Sequence, residues 1–278
     1  MESVAKLRPA GMLPLSRWPE EERQHIGGVF TDIDDTLTSA GAITSDAFEA
    51  LANLRSAGLH VVAITGRPVG WSEPFARSWP VDAIVAENGS VALINEPGSA
   101  TLKRLYRDDA TTRSTNFARM QQVARRVLRE IPGALLSQDS PGRETDIAID
   151  HSEFTHLAAD KVAQVVRIMQ SEGMSATVSS IHVNGWFGAH NKLAGARWIV
   201  RELFGRILDD ELPRWVYVGD STNDQLMFEA FPHSIGVANI RRFEHALLHR
   251  PRYITQRERG AGFAEVARAL LRQRAAPA

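Results

Sequence analysis

Cysteine is absent from the 278 residues. Disulfides, thiolate metal sites and a cysteine nucleophile are therefore excluded. No apolar run approaches the roughly 18–20 residues that a membrane span needs. The opening stretch, Met1 to Gly28, has no apolar core of the kind a secretory signal carries. The expectation is a soluble cytoplasmic protein. Charge of one sign is also missing, since the net charge is −1. No global field favours nucleic acid, and neither nucleic acid nor a membrane is expected as a partner. No glycine-rich loop follows a strand-like run; Gly27-Gly28 precedes one, which is the wrong place for dinucleotide phosphates.

What is present is ordinary in proportion and informative in order. Forty-four per cent hydrophobic and 23% charged residues exclude a disordered, collagen-like or coiled-coil chain. Residues 1–25 read as an N-terminal arm. Pro9, Gly11, Pro14 and Pro19 interrupt any regular pattern there, and Trp18 is placed to pin the arm to the body.

A rhythm starts at Ile26. Apolar runs at Ile26–Thr31, Leu59–Ile64 and Ala83–Ala86 each end in a polar cluster, with a helical stretch at Asp46–Ala57 between the first two. Later come a helix from Lys192 to Phe204, runs at Trp215–Val218 and Ser234–Val237, a short helix at Gln225–Phe231 and a closing helix at Phe263–Leu271. Strands alternating with helices indicate a parallel sheet, and near-continuous apolar strands indicate cover on both faces.

The middle differs. A helix at Thr112–Glu130 precedes strand-like runs at Ala134–Gln138 and Glu144–Asp150. A helix at Phe154–Met169 precedes runs at Ala176–Ser180 and His182–Phe187. Helix–strand–strand occurs twice, which reads as a small sheet with helices on one face, inserted into the core. Val91–Ile94 and Leu102–Tyr106 flank Pro97-Gly98 as a hairpin. The fold class is thus α/β, with a parallel-sheet core at 26–108 and 189–278 and an inserted α+β cap at 109–188.

Ligands of open α/β sheets sit at the carboxyl ends of strands. Three polar clusters lie there: Asp32-Ile33-Asp34-Asp35-Thr36, Thr65-Gly66-Arg67, and Gly219-Asp220-Ser221-Thr222-Asn223-Asp224. Lys192 opens the helix before the third, poorly placed for the helix dipole. Brought together, Asp32, Asp34, Asp220 and Asp224 would crowd four carboxylates into one cleft. They cannot all ionise without cations among them. Lys192 supplies one charge and a hard divalent ion such as Mg²⁺ would supply two. Such a set suits a phosphoryl group, with one carboxylate attacking and a second moving protons.

These motifs, in this order, resemble the four signatures of the haloacid dehalogenase superfamily of phosphohydrolases. Ala86-Glu87-Asn88-Gly89, the Gly236–Asn239 turn and the late two-unit insert resemble its class IIB, Cof-type branch of sugar-phosphate phosphatases, which also holds phosphomannomutases. The resemblance implies that Asp32 is the nucleophile and Asp34 the general acid and base. It implies phosphate contacts from Thr65, Gly66, Lys192 and Asn223. It implies Mg²⁺ on Asp32, Asp220 and the Asp34 carbonyl, with Asp224 supporting, and a small phosphorylated metabolite as substrate. Two positions depart from the pattern, Asp35 and Leu193, where the family commonly has glycine.

Alternatives stand beside this reading. Thr65 alone is a helix N-cap, and Arg67 is either a phosphate contact or a surface residue. His182, Asn184 and Trp186 alternate on one strand face, with Arg143 nearby. They are candidates for substrate specificity or the half-buried face of a sheet. The rival activities are a phosphomutase, which returns the phosphoryl group to the sugar, and a non-catalytic phospho-ligand sensor.

Overall fold

A computed structural model describes residues 11–96, 98–99 and 101–272. Residues 1–10 of the N-terminal arm, and Pro97 in the hairpin turn, lie outside them.

Fifteen strands occur among the described residues. They are β1 (Leu13–Pro14), β2 (Gly28–Thr31), β3 (Thr38–Ser39), β4 (Ala42–Ile43), β5 (His60–Ile64), β6 (Ala83–Ala86), β7 (Val91–Ile94) and β8 (Lys103–Tyr106). There follow β9 (Leu135–Leu136), β10 (Ile147–Asp150), β11 (Ser175–Val178), β12 (His182–Trp186), β13 (Trp215–Gly219), β14 (His233–Gly236) and β15 (Tyr253–Ile254). The helices are α1 (Glu20–Gln24), α2 (Ser45–Ser56), α3 (Val69–Ser78), α4 (Ala110–Glu130), α5 (Ala159–Ser171), α6 (Lys192–Phe204), α7 (Leu208–Glu211), α8 (Gln225–Ala230) and α9 (Arg259–Leu271).

The large sheet runs β1-β15-β14-β13-β2-β5-β6-β7-β8. It is parallel from β1 to β6, and β7 and β8 add an antiparallel hairpin. Side chains alternate across a strand, so an all-apolar strand must be covered twice. Val29, Val61, Val216 and Val218 pack with α2, α3 and α9 on one face. Phe30, Val62, Trp215 and Tyr217 pack with α6 and α8 on the other. The chain runs outward from β2 to β5 and β6, then returns to β2's other side at β13. The carboxyl ends of β13, β2 and β5 therefore lie side by side at the point where the strand order reverses.

The second sheet is antiparallel, in the order β11-β12-β10-β9. Met120, Val123, Val127, Val165 and Met169 of α4 and α5 bury one face of it against Ile147, Ile149 and Val183. Two of the boundaries that differ from the sequence reading have local causes. The strand expected from Glu144 begins only at Ile147, because residues 143–146 turn their polar groups onto the core. The helix expected from Phe154 begins at Ala159. The Asp150 carboxylate accepts the N–H groups of Ser152, Glu153 and Phe154 at 3.0, 2.9 and 3.0 Å, which holds this stretch as a turn.

The N-terminal residues from Gly11 onward lie against the core. Leu13–Pro14 extends the sheet beside β15. Trp18 is buried, with its ring stacked 5.8 Å from that of Tyr253.

Candidate active site

Asp32 leaves β2 with its N–H donated to the carbonyl of Val218 in β13, 2.9 Å away. That bond ties the two strand ends together. Lys192 enters from the first turn of α6. The helix can come this close because Gly195 and Gly89 meet backbone to backbone; a Cβ on Gly195 would sit 2.6 Å from the Gly89 Cα. The Asn191 side chain caps α6 by accepting from the N–H of Ala194 at 2.8 Å. Lys192 Nζ then donates to Asp32 Oδ1 at 2.6 Å and to Asp224 Oδ1 at 2.7 Å.

Asp224 is fully engaged. The Tyr217 hydroxyl also donates to its Oδ1, and the N–H groups of Asp220 and Ser221 donate to its Oδ2 at 2.9 and 3.1 Å. Asp220 is not. Its Oδ2 accepts from Asn239 Nδ2 at 3.0 Å, but its Oδ1 is buried without a partner. A buried carboxylate oxygen without a donor is costly unless something cationic faces it. Carboxylate oxygens of Asp32, Asp220 and Asp224 lie within 4.8 Å of one another. Of these, Asp32 and Asp220 retain free lone pairs, so the set fits a hard divalent cation on those two, with Asp224 holding the loop and Lys192.

Electrostatics agree. Burial raises the Asp32 carboxyl to about 7, with Asp224 and Asp34 adding to the rise and Lys192 opposing it. Burial, Asp32 and Asp224 push Asp220 well above the usual carboxylate range. Burial works against the Lys192 charge, but Asp224 and Asp32 hold its ammonium above its ordinary range. One lysine does not balance three buried acids.

Asp34, Thr65, Gly66, Asn184, His182 and Asn223 line a single cleft above Asp32, together with Arg67 and Ser179–Ile181. Thr65 is fully buried; its Oγ1 accepts the Arg67 N–H at 3.0 Å, which leaves its own proton free to point into the cleft. Core and insert meet around this cleft. The Gly66 carbonyl accepts from Arg143 Nη1 at 3.0 Å and from Asn184 Nδ2 at 3.3 Å. The Glu87 carboxylate takes the N–H groups of Val69 at 3.1 Å and Glu144 at 3.0 Å, and those of the Thr145 amide and hydroxyl.

Two residues singled out from the sequence do not line the cleft. Arg143 is buried between Asp139 at 3.0 Å and Asp146 at 2.7 Å. Trp186 is buried too, stacked on His190 and donating its indole N–H to the His190 carbonyl at 3.0 Å. Their polar atoms are used within the protein, and Arg143 stands in the turn before β10, not on a strand.

Arg67 is not a surface residue. It is 4% exposed and lies among carboxylates. Its Nε faces both oxygens of Asp34 at 3.0 Å. Its Nη1 faces Asp139 at 3.1 Å and Glu153 at 3.3 Å, and its Nη2 faces Glu153 at 2.6 Å and Asp34 at 2.9 Å. Glu153 Oε2 in turn lies 2.8 Å from His182 Nε2. Sequence reasoning missed Asp139 and Glu153. Both stand in irregular turns, where no periodicity marks a side chain as facing a site. Burial opposes the charge on each, but Arg143 and a Ser137 hydrogen bond bring Asp139 to about 2, and His182 and Arg67 lower Glu153.

Residues 29–153 match the family of haloacid dehalogenase-like hydrolases. No curated protein matches it. Solved structures match across nearly the whole chain. The sucrose-phosphatase of Synechocystis, solved with sucrose and phosphate, is 15% identical with a TM-score of 0.63, over 89% of this chain and 98% of that one. The C-terminal domain of Candida albicans trehalose-6-phosphate phosphatase is 14% identical with a TM-score of 0.65, over 94% and 98%. A subclass IIB sugar phosphatase of the haloacid dehalogenase superfamily is 15% identical with a TM-score of 0.59, over 88% and 98%. The chain shares their fold over nearly its whole length.

Proposed function

We propose that this protein is a haloacid dehalogenase-like, Mg²⁺-dependent phosphatase that cleaves a small sugar phosphate through an aspartyl-phosphate on Asp32. The observation that carries the reading is the pairing of Lys192 with Asp32 at 2.6 Å beside the unpartnered Oδ1 of Asp220. A nucleophilic carboxylate, a fixed cation and an unmet acceptor share one cleft with the Thr65 hydroxyl.

Asp32 and Asp220, with the Asp34 carbonyl, would hold the cation. When bound, that ion supplies positive charge to the crowded carboxylates and to the phosphate oxygens. Lys192 and Thr65 orient the phosphoryl group. An oxygen of Asp32 attacks phosphorus, and the bond from phosphorus to the leaving oxygen breaks. Protonated Asp34 gives its proton to that oxygen, so the sugar leaves as an alcohol. Asp34, now a carboxylate, takes a proton from water. The resulting hydroxide attacks phosphorus, the Asp32 ester breaks, and phosphate departs. The insert, residues 109–188, acts as a cap that excludes bulk water and presents its polar face to the leaving group.

The test is phosphate release from a panel of phosphorylated metabolites, with Mg²⁺ and with excess chelator. Asp32→Asn is nearly isosteric but a poor nucleophile, so it should remove turnover by about a thousandfold or more while the protein stays folded. Substantial release from folded Asp32→Asn, or full activity in chelator, contradicts the reading.

A further inference from the structure

A second cleft, of about 430 Å³, lies at the β1–β15 edge of the large sheet and shares no residue with the active-site cleft. The N-terminal segment, the loop after β15 and the last turns of α9 meet there. Four guanidiniums line it, those of Arg23, Arg257, Arg268 and Arg272, with the Ser16 side chain and one carboxylate, Glu265. The whole chain balances 32 basic against 33 acidic residues, so this concentration is local. Glu265 is spent on the backbone. Its two oxygens accept the N–H groups of Gln256 and Arg257, each at 2.9 Å. The Arg257 carbonyl accepts from Thr255 Oγ1 at 2.6 Å and from the Ala238 N–H at 3.1 Å, so its backbone is fixed on both sides.

Elsewhere on the surface arginines face acids: Arg55 meets Asp82, Arg197 meets Asp209 and Arg242 meets Glu258. Arg257, Arg268 and Arg272 are exposed and have no acidic partner among the described residues. Arg23 donates from Nη1 to the Ala269 carbonyl at 2.9 Å, but its Nε is buried with no acceptor. A buried donor left unmet is costly, which points to a missing acceptor in the cleft. The dipole of α9 favours cations at its C-terminal end and accounts for Arg268 and Arg272. It does not account for Arg23 and Arg257, which arrive from other elements.

We propose that this cleft binds a small polyphosphate anion, a chain of two or more phosphate groups that is either inorganic or carried by a nucleotide. Guanidiniums grip phosphate oxygens with paired N–H donors in one plane, and they stay charged at every physiological pH. Arg268 and Arg272 lie on one face of α9, about 6 Å apart along its axis. Phosphates joined in a chain reach both, whereas a single phosphate leaves guanidiniums unanswered. The cleft offers donors and few free acceptors, since the Glu265 oxygens and the Ala269 carbonyl are taken. An acidic peptide would bring backbone donors that go unmet there; a phosphate chain brings acceptors only. The N-terminal segment, held by Trp18, completes the site with Arg23. The site does not depend on the phosphatase reading.

The experiment is calorimetry on the full chain with inorganic tripolyphosphate, ATP, orthophosphate and hexaglutamate. Chelator is present throughout, so that no Mg²⁺ sequesters the phosphates. Tripolyphosphate is expected to bind one-to-one, about tenfold or more tightly than orthophosphate or hexaglutamate. ATP as tight as tripolyphosphate assigns the site to nucleotides, and weaker ATP assigns it to inorganic chains. The double variant Arg257→Gln, Arg268→Gln should weaken tripolyphosphate about tenfold or more, and Arg23→Gln alone about threefold. Tripolyphosphate should also raise the unfolding midpoint of the native protein and leave that of the double variant in place. Arg257 and Arg268 are exposed and unpaired, so without ligand the double variant is expected to unfold at the native midpoint. No binding of tripolyphosphate overturns the proposal, as does hexaglutamate binding as tightly. Binding that is unchanged in both variants lies elsewhere on the protein and overturns it too.

Discussion

Asp35 and Arg259 hold left-handed backbone, with φ of 54° and 53°, and their side chains pair at 3.0 Å. Left-handed φ favours glycine, because a Cβ crowds the carbonyl there. Asp35 accepts this strain at a turn that must reverse directly after the Asp32–Asp34 pair. Its carbonyl takes the Asn239 amide at 3.0 Å, and the same amide braces Asp220. The turn is thus tied to the acid cluster through the backbone, whatever side chain stands at position 35. The Asp35–Arg259 pair is partly exposed and adds little. Asp35→Gly is therefore expected to stabilise the protein, by about 0.5–1 kcal/mol. Asp35→Ala keeps the strain, loses the pair, and should destabilise. Thermal midpoints of both variants decide; a loss in the glycine variant shows that the ion pair outweighs the strain.

At the scale of elements, α6 delivers Lys192 only because two glycines touch. Gly89 has φ of 104° and its Cβ would lie 2.4 Å from the Asn191 carbonyl oxygen. Gly195→Ala should raise helix propensity yet force α6 away from the β6–β7 turn. Overpacking of this kind costs about 1–3 kcal/mol. Lys192 sits one turn away, so its reach to Asp32 lengthens too. The expected outcome is a loss of phosphate release well beyond what the shift in unfolding midpoint explains, read by kcat at a temperature where the variant is folded. A variant with full kcat would mean that α6 relaxes without moving its first turn.

At the scale of the whole molecule, core and insert are joined by buried polar groups around Asp146. Its Oδ1 accepts from Arg143 at 2.7 Å, and its Oδ2 accepts from Asn88 at 3.2 Å and Asn184 at 3.1 Å. Burial raises the Asp146 carboxyl to about 7, against the pull of Arg143. In the folded protein it therefore binds a proton at a pH where the unfolded chain does not. That contribution to stability is complete below the ordinary carboxylate range and is lost as pH rises through about 7. Relative to Asp146→Asn, the native protein should gain on the order of 3 kcal/mol between pH 7 and pH 4. Unfolding midpoints for both proteins across that range check it. Parallel curves would show that Asp146 keeps an ordinary affinity for protons.

Much of the core was legible in the order of residues. Apolar runs that end in Asp32, Thr65 and Asp220 must be strands covered on both faces, and their polar ends must collect at one edge of the sheet. The sequence by itself determined the parallel core, the acid and lysine motifs, and the inserted helix–strand–strand units. Local rules suffice for these, because each depends on periodicity within one segment. Only the tertiary structure decided which side chains close the cleft. Arg67 meets Asp139 and Glu153 across 72 and 86 residues of chain. Those acids stand in turns held by hydrogen bonds rather than by hydrophobic period, so nothing local marks their direction. The same holds for the partners of Arg143 and Trp186, of which only Trp186 stands on a strand. A side chain's face follows from its own element; what it touches depends on where another element has been brought.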